Sequence, residues 1–330
     1  MKPSFDIIQC ASIHPTSVNL YKSVNWYPYR PKRQRFDHLV TSDKKHKGKV
    51  SITARRKVSR AVEYLLFMAN DKILPDTAHG KAYRFKIAFI TLTLPSHQIH
   101  SDQEIKDSLL NQFLIELRYR FKVKNYLWRA EKQKNGNIHF HILVDRFIPW
   151  SELRDKWNRI CNKLHYVDRY RDEMKQFHTG GFQVRADLLK TWDYKKQVKA
   201  YQAGKANDWN NPNSTDIHSL RKISHVQAYI LKYCTKDEKN GLVAGRMWGC
   251  NENLSTIKGA QLIVDSVLSS ELCLILDKYP DRVLQSTHFS CIYIDVQMLQ
   301  QLGCLELYNL FGKYLFDSFD FNIQSIIPLS

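Results

Sequence analysis

Residues 137–144, Asn-Ile-His-Phe-His-Ile-Leu-Val, place two histidines at i and i+2 within an otherwise apolar strand. Successive side chains of a strand leave opposite faces, so His139 and His141 leave the same face of whatever sheet the chain builds. Two imidazoles on one face have the geometry of metal ligands. On its own such a pair is more commonly explained by satisfied or half-exposed histidines. The preceding segment, residues 126–132, also reads as a strand, and it carries Glu131 eight residues before His139. A carboxylate beside two imidazole nitrogens makes a His2Glu set that leaves coordination positions open for substrate.

That set makes a demand on the hairpin. Glu131 shares a face with the histidines only if it pairs with His139 or His141. A two-residue Asn135-Gly136 turn would put Glu131 opposite Phe140, on the wrong face. The sequence therefore predicts a three-residue turn, residues 134–136, with Gly136 in the left-handed conformation of a bulge.

Around this hairpin the pattern alternates strands with single helices. Residues 85–94, FKIAFITLTL, read as a buried strand ended by Pro95. Residues 101–121 read as a helix, with Ser101 as N-cap, Glu104 three residues on, and apolar residues at every fourth position. A helix over 150–164, a strand over FQVRADLL at 182–189, a polar loop over 204–219 and a helix over 218–236 follow. The expected fold is α+β, a central antiparallel-containing sheet flanked by helices. Helical additions are expected at both ends, because 51–70, 259–276 and 296–316 have helical spacing. The expected division is a basic N-terminal segment with an amphipathic helix at 1–80, a central domain at 81–250 and a mostly helical extension at 251–330.

Charge narrows the partner. With 50 Lys+Arg against 32 Asp+Glu, the formal charge is +18. Such a surplus favours a polyanion through counterion release; nucleic acid leads and an anionic membrane surface comes second. The first residues lack an apolar run of signal-peptide length, and residues 310–330 are interrupted by Lys313, Asp317 and Asp320, so a soluble, cytoplasmic protein is expected. The seven cysteines include no CxxC pair, which argues against a disulfide framework or a zinc finger. Basic residues concentrate at 24–60, interleaved with Trp26, Tyr27 and Tyr29. Arg30, Lys32, Arg33, Arg35, Arg55 and Arg56 are the candidate DNA contacts, with a solvated helix face as the equally weighted alternative for this run.

A second cluster lies far along the chain, in Ala-Tyr-Ile-Leu-Lys-Tyr-Cys-Thr-Lys at 228–236. On a helix Tyr229 and Tyr233 share a face, and Lys232 and Lys236 each follow a tyrosine by three positions. A phenol is a poor nucleophile at neutral pH and needs a cationic neighbour, a metal or a polarised phosphate, so the lysines fit a catalytic reading. An isolated YxxK is ordinarily a plain amphipathic helix with its lysine in water.

The ordered set FITLTLP (89–95), Glu131 with His139-Phe140-His141, and YILKYCTK (229–236) resembles the three motifs of the HUH endonucleases that initiate rolling-circle replication. The doubled YxxK resembles the two-tyrosine replication proteins of phages and plasmids, and Arg246-Met247-Trp248-Gly249 resembles the stretch that follows their tyrosine helix. The resemblance covers about residues 85–250 and implies an HUH/RRM-like nuclease domain. It implies a metal, Mn2+ or Mg2+, held by Glu131, His139 and His141, with manganese the better physical match to two imidazoles. It also implies nicking of single-stranded origin DNA, in a hairpin, by Tyr229 or Tyr233. The products are a 5′ phosphotyrosine link and a free 3′ hydroxyl, with later rejoining of ends. The expected setting is a bacterial cell carrying plasmid, phage or mobile-element DNA, with no small-molecule substrate. No GxxxxGK[ST] occurs, so a host helicase would unwind and a host polymerase would extend. A mobilisation relaxase, a two-tyrosine transposase and a non-catalytic DNA-binding protein are the alternatives.

Overall fold

The computed structural model describes residues 4–27, 51–69, 72–76, 81–220, 240–256, 259–285, 289–294 and 296–313. The chain divides into two units, residues 43–255 and residues 1–42 with 256–330.

In the larger unit, helix α1 (Ile52–Met68) starts at Ser51, whose hydroxyl caps it by accepting from the Ala54 amide. Strands β3 (Lys72–Asp76) and β4 (Lys81–Phe85) pair as an isolated hairpin. The main sheet contains β5 (Ala88–Leu92), β6 (Tyr126–Lys132), β7 (Ile138–Val144), β8 (Thr215–Ser219) and β9 (Trp248–Cys250) in the order β8-β5-β7-β6-β9. Every neighbouring pair is antiparallel. Alternation divides the sheet into two faces. One face carries Ile90, Leu92, Trp128, Ala130, Ile138, Phe140 and Ile142 into the main core. Helical segments complete that core: Ile105, Leu109, Phe113 and Leu117 from residues 102–119, and Leu153, Trp157 and Ile160 from α4 (Trp150–Cys161).

The expected helix at 101–121 is present with a full capping box between Ser101 and Glu104. It comprises α2 (Asp102–Ile105) and α3 (Asn111–Tyr119), separated by a π-helical turn at Lys106–Leu110. Beyond α4 and α5 (Tyr166–Phe177) the structure departs from expectation. FQVRADLL is not a strand. The Arg185 amide and carbonyl bond to the side chain of Gln197 on α6 (Tyr194–Ala206), which takes the place of a ladder partner. The end of the expected loop at 204–219 is strand β8, because Ile217 packs against the core while the strand pairs with β5. Accordingly no helix begins at His218, and the rest of the expected 218–236 helix lies outside the described residues.

The expectation of purely helical additions at the two ends is corrected in the smaller unit. Strands β1 (Ser4–His14) and β2 (Ser17–Tyr27) form a long hairpin. It joins β10 (Ala260–Ile263), β11 (Val283–Gln285) and β12 (Phe289–Tyr293) in a sheet of order β10-β1-β2-β12-β11. Residues 1–27 thus belong with the C-terminal region rather than with α1. Part of the expected helix at 259–276 is β10, and α7 runs Ser266–Lys278 with Asp265 as its side-chain cap. The expected helix at 296–316 is divided into α8 (Val296–Leu302) and α9 (Leu305–Phe311) by Gly303, whose φ is +68°. Among the described residues no helix is long and apolar enough to cross a membrane.

Candidate metal centre

The hairpin register comes out as the ligand set requires. Glu131 pairs with His139 and Arg129 with His141 across β6 and β7. The ladder continues to the Gln133 amide, which donates to the Asn137 carbonyl, and the Gly136 amide donates to the Gln133 carbonyl. Residues 134–136 are therefore the loop, and Gly136 has φ +84°.

On the face away from the core, Glu131, His139 and His141 bring one ligand atom each to within 4.8 Å of one another. Glu131 Oε2 is 3.7 Å from His139 Nε2 and 3.9 Å from His141 Nε2. These separations are too long for hydrogen bonds. Two ligands each about 2.1 Å from one ion can lie up to about 4 Å apart, so the same separations suit a shared cation. Both ring nitrogens of His139 are buried without a hydrogen-bond partner among the described residues. Buried polar atoms are ordinarily satisfied, so an orphaned imidazole beside a carboxylate and a second imidazole fits a divalent ion.

The electrostatics keep the donors in their ligating forms. Burial works to raise the Glu131 pKa, but the facing His139 and His141 imidazoles and the Arg129 guanidinium outweigh it and hold the carboxyl below its usual range. Burial, and then His139 beside it, push His141 down to about 4 against the opposing pull of Glu131. At neutral pH the site therefore holds a carboxylate and a neutral His141.

Neighbouring strands supply further groups. Arg129, only 1% exposed, sets Nε 3.2 Å from Glu131 Oε1, leaving Oε2 to face the imidazoles. From β5, Thr91 pairs with His141, and its Oγ1 lies 3.2 Å from His141 Nδ1. Phe89 packs between His141 and His218, with ring centroids 5.0 and 5.3 Å away. Beside β6, Gly249 sits where a Cβ would come within 2.7 Å of the Trp128 indole nitrogen, so the Trp248-Gly249 pair admits no side chain at its second position.

Of the other expected site residues, Arg55 and Arg56 are exposed on α1. Arg30, Lys32, Arg33 and Arg35 lie outside the described residues, as do Tyr229, Lys232, Tyr233 and Lys236. The described residues that flank the tyrosine segment are anchored to the main sheet. The Leu220 amide donates to the Ile87 carbonyl beside β5. Asn240 Nδ2 donates to the Lys132 carbonyl at the end of β6. A buried clasp then holds residues 244–246. Asp102 accepts from the Ala244 amide, Gln98 Nε2 and Lys132 Nζ, and Lys106 Nζ donates to the carbonyls of Ala244 and Arg246. The π-helical turn begins at Lys106, whose ammonium burial pushes below its usual range despite the nearby carboxylates of Asp102 and Asp107.

Sequence reasoning missed Arg129, the clasp and any ligand-facing part for Thr91. Arg129 was within reach, since a residue two before Glu131 in a strand must share its face. The clasp carries no local signal, because Asp102 and Ala244 are 142 residues apart.

In a comparison with protein-family models, residues 87–238 match the family described as replication-associated protein ORF2. No curated protein and no solved structure matches the chain. The match takes in β5 to β8, all three clustered ligand residues and the tyrosine segment, and through residues 87–238 the chain belongs to this family of replication-associated proteins.

Proposed function

We propose that this replication-associated protein is an endonuclease that nicks single-stranded DNA at an origin, becomes joined to the new 5′ phosphate through a tyrosine, and later rejoins ends to complete rolling-circle replication. The observation that carries the reading is the convergence of Glu131, His139 and His141 on one polar sheet face, within a stretch matched by a replication family.

Glu131 Oε2 and the Nε2 atoms of the two histidines would hold Mn2+ or Mg2+. A bound divalent cation would supply charge neutralisation and alignment for a nonbridging phosphate oxygen. Tyr229 or Tyr233 supplies the phenol oxygen that bonds to phosphorus as the 3′ oxygen leaves. Lys232 and Lys236 supply positive charge one helical turn away, to the phosphate or the phenolate. The phosphotyrosine ester keeps the energy of the broken phosphodiester, so a 3′ hydroxyl can reverse the step. With two tyrosines, one can cleave the regenerated junction while the other still holds the first end. The anchoring of Leu220 to one strand of the sheet and of Asn240 to another supports this reading, since the segment between them must connect two points flanking the ligand cluster. The basic surplus, with Arg55 and Arg56 exposed, suits a DNA backbone partner. The partners in this reading are single-stranded origin DNA and a host helicase and polymerase, in a bacterial cytoplasm.

The test is incubation with a labelled single-stranded origin oligonucleotide and Mn2+. A covalent adduct is expected. It should be lost in the Tyr229→Phe, Tyr233→Phe double variant and reduced in at least one single variant. Absence of any adduct with every hairpin and single strand tried would overturn the enzyme reading.

A further inference from the structure

We propose that Thr91 is a positioning residue of the metal centre: its hydroxyl holds the Nδ1 proton of His141 and so directs the Nε2 lone pair into the ligand cluster. The inference rests on the metal reading above and extends it to a residue outside the ligand set.

A neutral imidazole carries one proton and offers one lone pair, and the tautomer is set by what the non-ligating nitrogen bonds to. His141 Nδ1 has Thr91 Oγ1 at 3.2 Å, while its Nε2 faces Glu131 Oε2 at 3.9 Å, beyond hydrogen-bond reach. With Nδ1–H donating to the threonine oxygen, Nε2 is left unprotonated and aimed at the other two donors. The placement follows from sheet register, since Thr91 on β5 pairs with His141 on β7, and alternation puts both side chains on the polar face. A β-branched residue at position 91 suits the strand, but only one with a hydroxyl can accept that proton. The arrangement on the far side of the cluster is parallel, for Arg129 occupies Glu131 Oε1 and leaves Oε2 to the imidazoles. Two ligands thus have their non-ligating atoms occupied by residues of the strands on either side of β7. His139, with both ring nitrogens unpartnered among the described residues, has no such neighbour.

The test compares Thr91→Val, which keeps shape and removes the hydroxyl, with Thr91→Ser, which keeps the hydroxyl. Mn2+ affinity of the full chain is read from the electron paramagnetic resonance of free Mn2+, and integrity from circular dichroism. Thr91→Val should bind Mn2+ about tenfold or more weakly, the scale on which outer partners of metal ligands act, and Thr91→Ser should return most of the loss. Equal binding by Thr91→Val and the unaltered chain would overturn the inference, and so would a Thr91→Ser variant as weak as Thr91→Val. His141→Ala separates the two levels of the argument. If it abolishes Mn2+ binding while Thr91→Val does not alter it, only the role of Thr91 fails. If the unaltered chain binds no Mn2+, the metal reading fails and this inference with it.

Discussion

Glu131 lies directly across the β6–β7 ladder from His139, its Oε2 3.7 Å from the imidazole Nε2. Substituting any of Glu131→Gln, His139→Ala or His141→Ala removes one of three donors from a site with no fourth protein ligand among the described residues. Each should lower Mn2+ affinity at least a hundredfold while leaving the fold intact, since the three side chains line the polar face rather than the core. Isothermal titration with Mn2+ decides this, and near-normal affinity in any one variant would remove that residue from the ligand set.

The facing of Glu131 and His139 depends on the three-residue turn. At Gly136, φ is +84°, and an added Cβ would meet nothing within 4 Å. The cost of Gly136→Ala is therefore conformational alone, about 1 kcal/mol. Urea denaturation should show that loss without a change in the slope. A variant as stable as the unaltered chain would mean that the turn does not need the left-handed conformation.

Arg129 neutralises Glu131 from beneath the site, and it is buried. Arg129→Met would leave the carboxylate without this cationic partner in a dry setting, and breaking such a pair from one side costs about 3 to 5 kcal/mol. The expected result is a large fall in melting temperature that the double variant Arg129→Met, Glu131→Leu partly recovers. If the second substitution adds a further loss of similar size, the pair does not act as a unit.

The metal-free protein should lose stability as pH falls through the histidine range. His141 takes up a proton near 6.5 when unfolded but only near 4 when folded, because burial opposes the charge. Below 6.5 the unfolded state binds more protons, so the contribution of His141 becomes increasingly unfavourable between pH 6.5 and 4 and is constant below that. Saturating Mn2+ should defend the fold in the same window, since protons and metal compete for the same nitrogen. A chelator-treated His141→Gln variant with an unchanged pH profile would show that another group controls the effect.

Alternation in the sequence was enough to put His139 and His141 on one face, and the need for Glu131 to join them was enough to choose the turn at 134–136. The Ser101 and Glu104 capping box was equally legible. Each of these is a local relation, decided by strand or helix geometry within a few residues of chain. The order β8-β5-β7-β6-β9 was not local, and it brings Thr91 to His141 across 50 positions. Nor was the sheet that joins the first 27 residues to β10 and β12, or the clasp of Asp102 and Lys106 on residues 244–246. Such pairings form when distant segments close a loop and satisfy one another's buried backbone groups, and the neighbours of either segment carry no record of the partner. The chain's own pattern thus decided which atoms can hold a metal; the tertiary fold decided which residues aim them.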